Sequence, residues 1–365
     1  MWLPVNDSAS NGTNSADDKP DGSIPIADRV DWGTAASLGR KLVRPGPKTT
    51  DYTRDLARAE LIAASAAAEE PVREVTRLAD GQVVPTARVL DRGEWISAAA
   101  QSMSVMLGGD GTSHSTGISA RLSGAQAGGV LSLLSSAILG QYDPFTPDPV
   151  SGADGTLLLV LPNIIAVERA LHVVPKDFRL WVCLHEVTHR VQFSANPWLR
   201  GYMRENIDVL TDESGESVNE LVSRIAAAVK SDQPREKGVI GAMQLLQTPE
   251  QYEAFTRMMM LGTVLEGHAD HVMDAVGPQK VPTVAAIREA FDARRTRKPN
   301  PMQRILRALL GMDAKMAQYI KGKAFVDEVV ATAGMARFNT IWTGPETMPT
   351  PEEIATPRLW IDRVL

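Results

Sequence analysis

His185 and His189 stand four residues apart with Glu186 directly after the first, an H-E-x-x-H pattern inside the apolar run from Trp181 to Phe193. At about 3.6 residues per turn the two imidazoles sit roughly 40° apart around a helix, so both project from one face and can grip one metal ion. Glu186 points ~100° round the axis, toward the open side of such an ion, where a carboxylate can take a proton from water. Two imidazole ligands and a neighbouring base are the parts of a zinc site that activates water.

A catalytic zinc site takes three protein ligands and leaves the fourth position to water. The extension H-E-x-x-H-x-x-G-x-x-H does not supply the third, because Gln192 stands where the glycine would be and Ala195 where the histidine would be. The remaining source is Glu266-Gly267-His268-Ala269-Asp270-His271. Glu266 is the expected third ligand. Asp270, four residues on and so on the same face, is expected to hold the far nitrogen of a ligand histidine and fix its tautomer. His268 lies ~200° and His271 ~140° from Glu266 on a helical wheel, which leaves them as alternative donors or as residues of the cleft. Gly267, lacking a Cβ, would let the metal helix and this later helix approach closely.

The segments that must position these residues read as helices almost throughout. A helical pattern opens at Val30-Asp-Trp-Gly and breaks at Gly46-Pro47, and Thr50-Asp51 caps a long Ala/Leu/Arg/Glu-rich stretch toward Glu70, with Pro71 opening the next helix. Residues 82–92 are the first extended piece, and Pro85 keeps it from being an interior strand. Asp91-Arg-Gly-Glu-Trp95 starts another helix, and residues 118–140 one rich in small side chains, ended by Gly140 and Pro144. Thr156-Leu-Leu-Leu-Val-Leu-Pro162 is expected as a buried strand just before the metal helix, either one that lines the cleft and pairs with an extended peptide, as in zincins, or a plain strand of the core. Beyond Asn196-Pro197, helical segments are expected over 204–230, 238–248, and from Thr248-Pro249 to Gly277-Pro278.

The expected fold is therefore mostly α with a small β-sheet near residues 80–92 and 156–162. Residues 1–28, polar and without hydrophobic period, read as a disordered leader. Residues 29–365 read as a single domain, a helical part to about 150 followed by the catalytic part from about 151 to 365.

The 365 residues carry 38 Lys and Arg against 44 Asp and Glu, a formal charge of −6 without long runs of one sign, which argues against nucleic acid or an anionic membrane as partner. Cys183 is the single cysteine, so neither an intrachain disulfide nor a cysteine zinc cluster can form. It precedes His185 by two residues and should pack on the helix's other side. No signal-peptide pattern opens the chain and no window reaches the ~18 apolar residues of a membrane span, so a cytoplasmic location is expected. Gly108-Gly-Asp-Gly lacks the strand and the Gly-Lys-Ser/Thr ending of a phosphate loop and reads as flexible chain. His114 and His172 read as surface residues.

His185-Glu-Val-Thr-His189, then Pro197-Trp-Leu-Arg200, then Glu266-Gly-His-Ala-Asp270-His-Val-Met-Asp274 resemble the bacterial zincin-like metallopeptidase type 2 family. Its members are described as zinc-dependent metalloproteases or hydrolases, and some carry a label associating them with deazaflavin coenzyme biosynthesis, for which no residue here carries a chemistry. The resemblance covers about residues 30 to 365, including Leu309-Leu-Gly-Met-Asp-Ala-Lys315 and the ending around Trp360. It implies a helical, gluzincin-like site with His185, His189 and Glu266 as ligands and Glu186 as base.

The function expected is a zinc metallopeptidase in which Glu186 activates water and carries the proton to the leaving amine. A zinc amidohydrolase of a small metabolite would use the same centre without a peptide groove. A helical scaffold holding metal only for structure is the third reading, and an intact Glu186 argues against it, since a closed structural site needs no base. The substrate would be a peptide or small amide. Arg200, Tyr202, Tyr252 and Tyr319 could stabilise an oxyanion, and Arg294-Arg-Thr-Arg297-Lys298 could clamp a carboxylate or phosphate.

Overall fold

The apolar run that follows Gly155 forms the middle of a three-stranded sheet. In the computed structural model, which describes residues 26–111, 117–212, 248–296 and 312–365, strand β3 (Thr156–Val160) lies between β1 (Arg88–Leu90) and β2 (Gly140–Asp143). β1 pairs with it in parallel, Arg88 against Leu158, and β2 antiparallel, Gly140 against Leu159. All five β3 residues are buried because helices cover both faces. Alternation along the strand then sends Leu157 and Leu159 into one hydrophobic cluster, and Leu158 and Val160 into another around Trp32, Trp95 and Ile96.

The remainder is helical, as expected. Helix α1 (Trp32–Leu42) is capped by Asp31 and packs on α4 (Ile118–Leu134), where a Cβ on Gly128 would come within 2.5 Å of the Ala35 carbonyl. Helix α2 (Asp51–Thr76), capped by Thr50, runs straight through Pro71 instead of restarting there. The proline forgoes one backbone bond, toward the Ala67 carbonyl, and its ring is buried in the core. Helix α3 (Arg92–Met106) opens on a capping box between Asp91 and Glu94.

Three expectations shift. Within the stretch expected as a disordered leader, Ile26–Arg29 form a 3-10 turn with Ala27 buried and its carbonyl accepting from the Trp32 indole at 3.2 Å; residues 1–25 lie outside the described residues. The small-residue helix stops at Leu134, and Gly140–Asp143 is a strand; four residues are too few to show an alternation in sequence. The central place of β3, with both edges paired, excludes its pairing with a peptide.

Helix α5 (Leu161–Leu171) follows β3 directly and leads to α6 (Pro175–Ala195), the metal helix. Two arginines tie α6 to its neighbours. Arg179 forks onto Glu168 of α5 at 3.0 and 2.7 Å and reaches Glu60 of α2, while Arg190 pairs with Glu69 of α2 and donates to the Pro85 carbonyl at 2.7 Å. Helix α7 (Trp198–Thr211) follows; most of the expected 204–230 and 238–248 helices lies outside the described residues. Helix α8 (Pro249–Lys280) starts on a Thr248–Gln251 capping box and kinks at Gly277, φ 61°. It packs on α6, on α7 and on a later helix, α10 (Met312–Ala333), after α9 (Val284–Thr296). Short helices at Met335–Phe338, Pro351–Ala355 and Pro357–Val364 close the chain. Among the described residues no helix is long and apolar enough to cross a membrane.

Candidate metal centre

The spacing of the H-E-x-x-H residues brings His185 and His189 to one side of α6, and α8 brings Glu266 to meet them. The two Nε2 atoms are 3.2 Å apart with the rings nearly perpendicular at 87°; Glu266 Oε2 lies 3.3 Å from His185 Nε2 and Oε1 3.8 Å from His189 Nε2. Ligand atoms at about 2.1 Å from a tetrahedral ion are separated by roughly 3.4 Å, so these three donors fit one ion of that kind. All three ligand atoms lie within 4.8 Å of one another, and among the described residues this is the group of histidine, cysteine and carboxylate side chains that converges so closely.

The far side of His189 is held by a residue that the sequence reading noted only for spoiling a longer motif. Gln192 Oε1 accepts from His189 Nδ1 at 2.9 Å, which leaves the Nε2 lone pair facing Glu266. The same amide donates to the Leu265 carbonyl at 2.9 Å and to His268 Nδ1 at 3.0 Å. Gln192 thereby locks α6 to α8 at the residue before the third ligand. The signal was present: position 192 is three on from 189, hence on the same helical face.

Asp270 does not take the role expected of it. Its carboxylate makes no hydrogen bond to either ring among the described residues. His268 is fully buried between Phe338 and Trp342 and lines no cleft; burial drives it neutral, with its pKa lowered to about 3. His271 turns to Asp327 of α10 at 2.7 Å, in a chain of ion pairs continuing through Lys323 to Asp274. Neither histidine joins the triad. Gly267 also serves another contact: a Cβ there would meet the Gly322 carbonyl carbon at 2.3 Å, so it admits α10, not the metal helix.

Glu186 lies beside the triad and is buried. Burial raises its pKa, His185 pulls it down and Glu266 raises it again, for a value of about 7. His185 shows the opposite balance, in which burial disfavours the charge but the Glu266 carboxylate outweighs it and the pKa rises to about 9. Gly140 on β2 is the other residue that sequence reasoning missed. A Cβ at that position would stand 2.6 Å from Glu186 Cγ and 2.8 Å from its Oε1, so the strand can pass this close to the carboxylate only with glycine there.

The other candidates are placed elsewhere. Cys183 is buried and its thiol lies 3.8 Å from the Leu61 carbonyl, with its pKa pushed up by burial. Arg200 pairs with Asp154 at 2.9 Å, and Tyr202 is buried edge-on against Trp198. Tyr252 sits in the first turn of α8, 14 residues ahead of Glu266. The side chains of Tyr319 and of Arg294 to Lys298, and His114, lie outside the described residues.

Two histidines and a glutamate are thus offered by two packed helices with a buried carboxylate alongside. Residues 30–361 match the family model of zincin-like metallopeptidases, and the chain belongs to that family. The family implies a bound metal ion, and the triad is where this chain could hold one. A solved structure of a provisionally assigned hydrolase with a novel fold from Chloroflexus aurantiacus is similar at 30% identity and a TM-score of 0.63, covering 92% of this chain and 98% of that one. A search of curated proteins finds no match.

Proposed function

We propose that the protein is a zinc-dependent peptidase with His185, His189 and Glu266 as ligands and Glu186 as general base. The observation that carries this reading is the set of donor separations, 3.2, 3.3 and 3.8 Å, with the Glu186 carboxylate on the same helix. Zinc bound there would polarise the scissile carbonyl and acidify water. Glu186 takes the proton from that water on a carboxylate oxygen and passes it to the leaving amine nitrogen. Gln192 keeps His189 in the tautomer that presents Nε2, and the helix packing keeps Glu266 opposite.

For substrate we propose an extended peptide aligned along β2. That strand has β3 on one side only, and Gly140 lies against Glu186, so a chain running along it would bring a carbonyl to the base. A metabolite amide is the second outcome of the same experiment.

The test compares Glu186→Gln with Glu266→Gln in zinc-loaded protein. Glu186→Gln should keep stoichiometric zinc while hydrolysis of an unbiased peptide and amide library falls by a large factor. Glu266→Gln should lose zinc itself, read by elemental analysis. Zinc held as tightly in Glu266→Gln as in the parent would remove Glu266 from the ligand set. Cleavage confined to small amides would replace the peptidase by the amidohydrolase, and a zinc-loaded parent that cleaves nothing would favour the scaffold.

A further inference from the structure

A cleft on the other edge of the sheet, around β1, shares no residue with the metal triad. It is an open cleft of about 1000 Å³. Its walls bring together Arg40 of α1, Arg44 and Lys48 of the connector between α1 and α2, Arg54 and Arg58 of α2, Arg88 of β1 and Arg92 of α3. Seven cations line the cleft with two carboxylates, Asp91 and Glu94, and Arg54 pairs with Asp51 at the start of α2, which leaves a local formal charge of +4 on a chain whose net charge is −6.

The two carboxylates are already engaged with backbone. Asp91 Oδ1 accepts from the Glu94 N–H at 2.8 Å and Glu94 Oε2 from the Asp91 N–H at 2.7 Å, the capping box of α3. Among the described residues Arg40, Arg44, Lys48 and Arg88 have no ion-pair partner within 4 Å, and Arg58 reaches only the Val89 carbonyl. Like charges gathered with little counter-charge repel one another, although the sequence carries 44 acidic residues in all.

The wall that carries Arg44 and Lys48 is built, not loose. Arg92 donates to the carbonyls of Arg44 and Pro45 at 2.8 and 2.9 Å, and is itself fixed by Asn163 Oδ1 at 2.7 Å. Asn163 in turn donates to the carbonyls of Ser135 and Ile138 at 2.7 and 2.6 Å. Arg169 holds the Lys48 carbonyl at 3.0 Å, and a Cβ on Gly46 would stand 2.8 Å from Pro162. The backbone between α1 and α2 is thus clamped while its cationic side chains are left without anions. Val43, Leu161 and Pro162 give the cleft an apolar floor.

We infer that this cleft binds a small, multiply charged anion, a phosphate- or carboxylate-bearing molecule with an uncharged body, at a site separate from the metal centre. Guanidinium forks match both anionic groups through charge-assisted paired hydrogen bonds. A concave wall of fixed curvature suits a compact ligand, where a flat basic face would suit a polymer.

The test is calorimetric titration of the zinc-loaded full chain at low ionic strength, with fructose 1,6-bisphosphate and with tricarballylate as probes and sodium chloride of equal ionic strength as control. Binding of the bisphosphate alone assigns a phosphate ligand, of tricarballylate alone a carboxylate ligand, and of both the shared anion chemistry. In each case affinity should fall about tenfold or more in Arg44→Gln/Lys48→Gln. Arg88→Gln gives an independent reading from another wall, with thermal unfolding checking that both variants fold. Silence from both probes, or affinity unchanged in both variants, overturns the inference. A single-stranded oligonucleotide that binds more tightly than either probe, with a steep salt dependence, overturns the small-ligand class.

Discussion

Arg179 and Arg190 on the metal helix each end on a carboxylate in the core, whereas Arg40, Arg44 and Lys48 across the sheet have no ion-pair partner within 4 Å among the described residues. The same chemistry is put to two uses. Beside the metal centre, cations are consumed in fixing where α6 stands, because three donors must be held within a few tenths of an ångström of one another's correct separation. In the cleft the backbone is clamped and the charges stay available, which suits a ligand gripped by long side chains.

The largest effect should come from breaking the first half of this contrast. Glu69→Ala leaves Arg190, whose side chain is 5% exposed, as an uncompensated buried charge, and removal of one partner from such a pair costs about 3–5 kcal/mol. Denaturant unfolding reads this directly, and a loss below about 1 kcal/mol would mean that α6 is not anchored by this pair. Next comes Gly140→Ala. Its methyl group would displace the Glu186 carboxylate, and misplacement of a reacting group by about 1 Å lowers turnover on the order of 100-fold, while zinc content should stay stoichiometric. Equal loss of zinc and turnover would place the damage in the ligands instead. Gln192→Ala removes the acceptor of His189 Nδ1, and such supporting contacts typically weaken metal affinity by about 10- to 100-fold, measurable by competition with a chelator. Gln192→Glu, which keeps an acceptor there, should restore part of it.

The contrast also explains what the sequence made legible. His185, Glu186 and His189 are related by local helical period, and Glu266 followed from the need for a third donor, so these positions could be named before any fold was known. Asp270 was expected at a far ring nitrogen, but helical spacing gives the face of a side chain and not the gap to the facing helix, and at His189 that place is taken by Gln192. Gly267 was tied to the wrong neighbour because α10, 45 residues further on at Met312, had no motif to announce its packing. Strand β2 was hidden by its length, and with it the role of Gly140. The basic cleft was invisible for a similar reason: its seven cations come from five separate segments, none of them a charge run.

The smallest expected effect tests the second half of the contrast. If Arg44 and Lys48 are held only by their backbones, the double substitution Arg44→Gln/Lys48→Gln removes no fold-stabilising partner, and surface changes of this kind lie within about 0.5 kcal/mol. The sign can be argued further. Discharging two members of a cluster with a surplus of four positive charges relieves repulsion, so stability should be unchanged or slightly raised at low salt. That gain should vanish as salt screens the cluster, and paired unfolding curves at low and high ionic strength would show it. A loss above about 1 kcal/mol that persists in salt would mean these cations serve the fold after all, and the two regions would then differ in exposure alone.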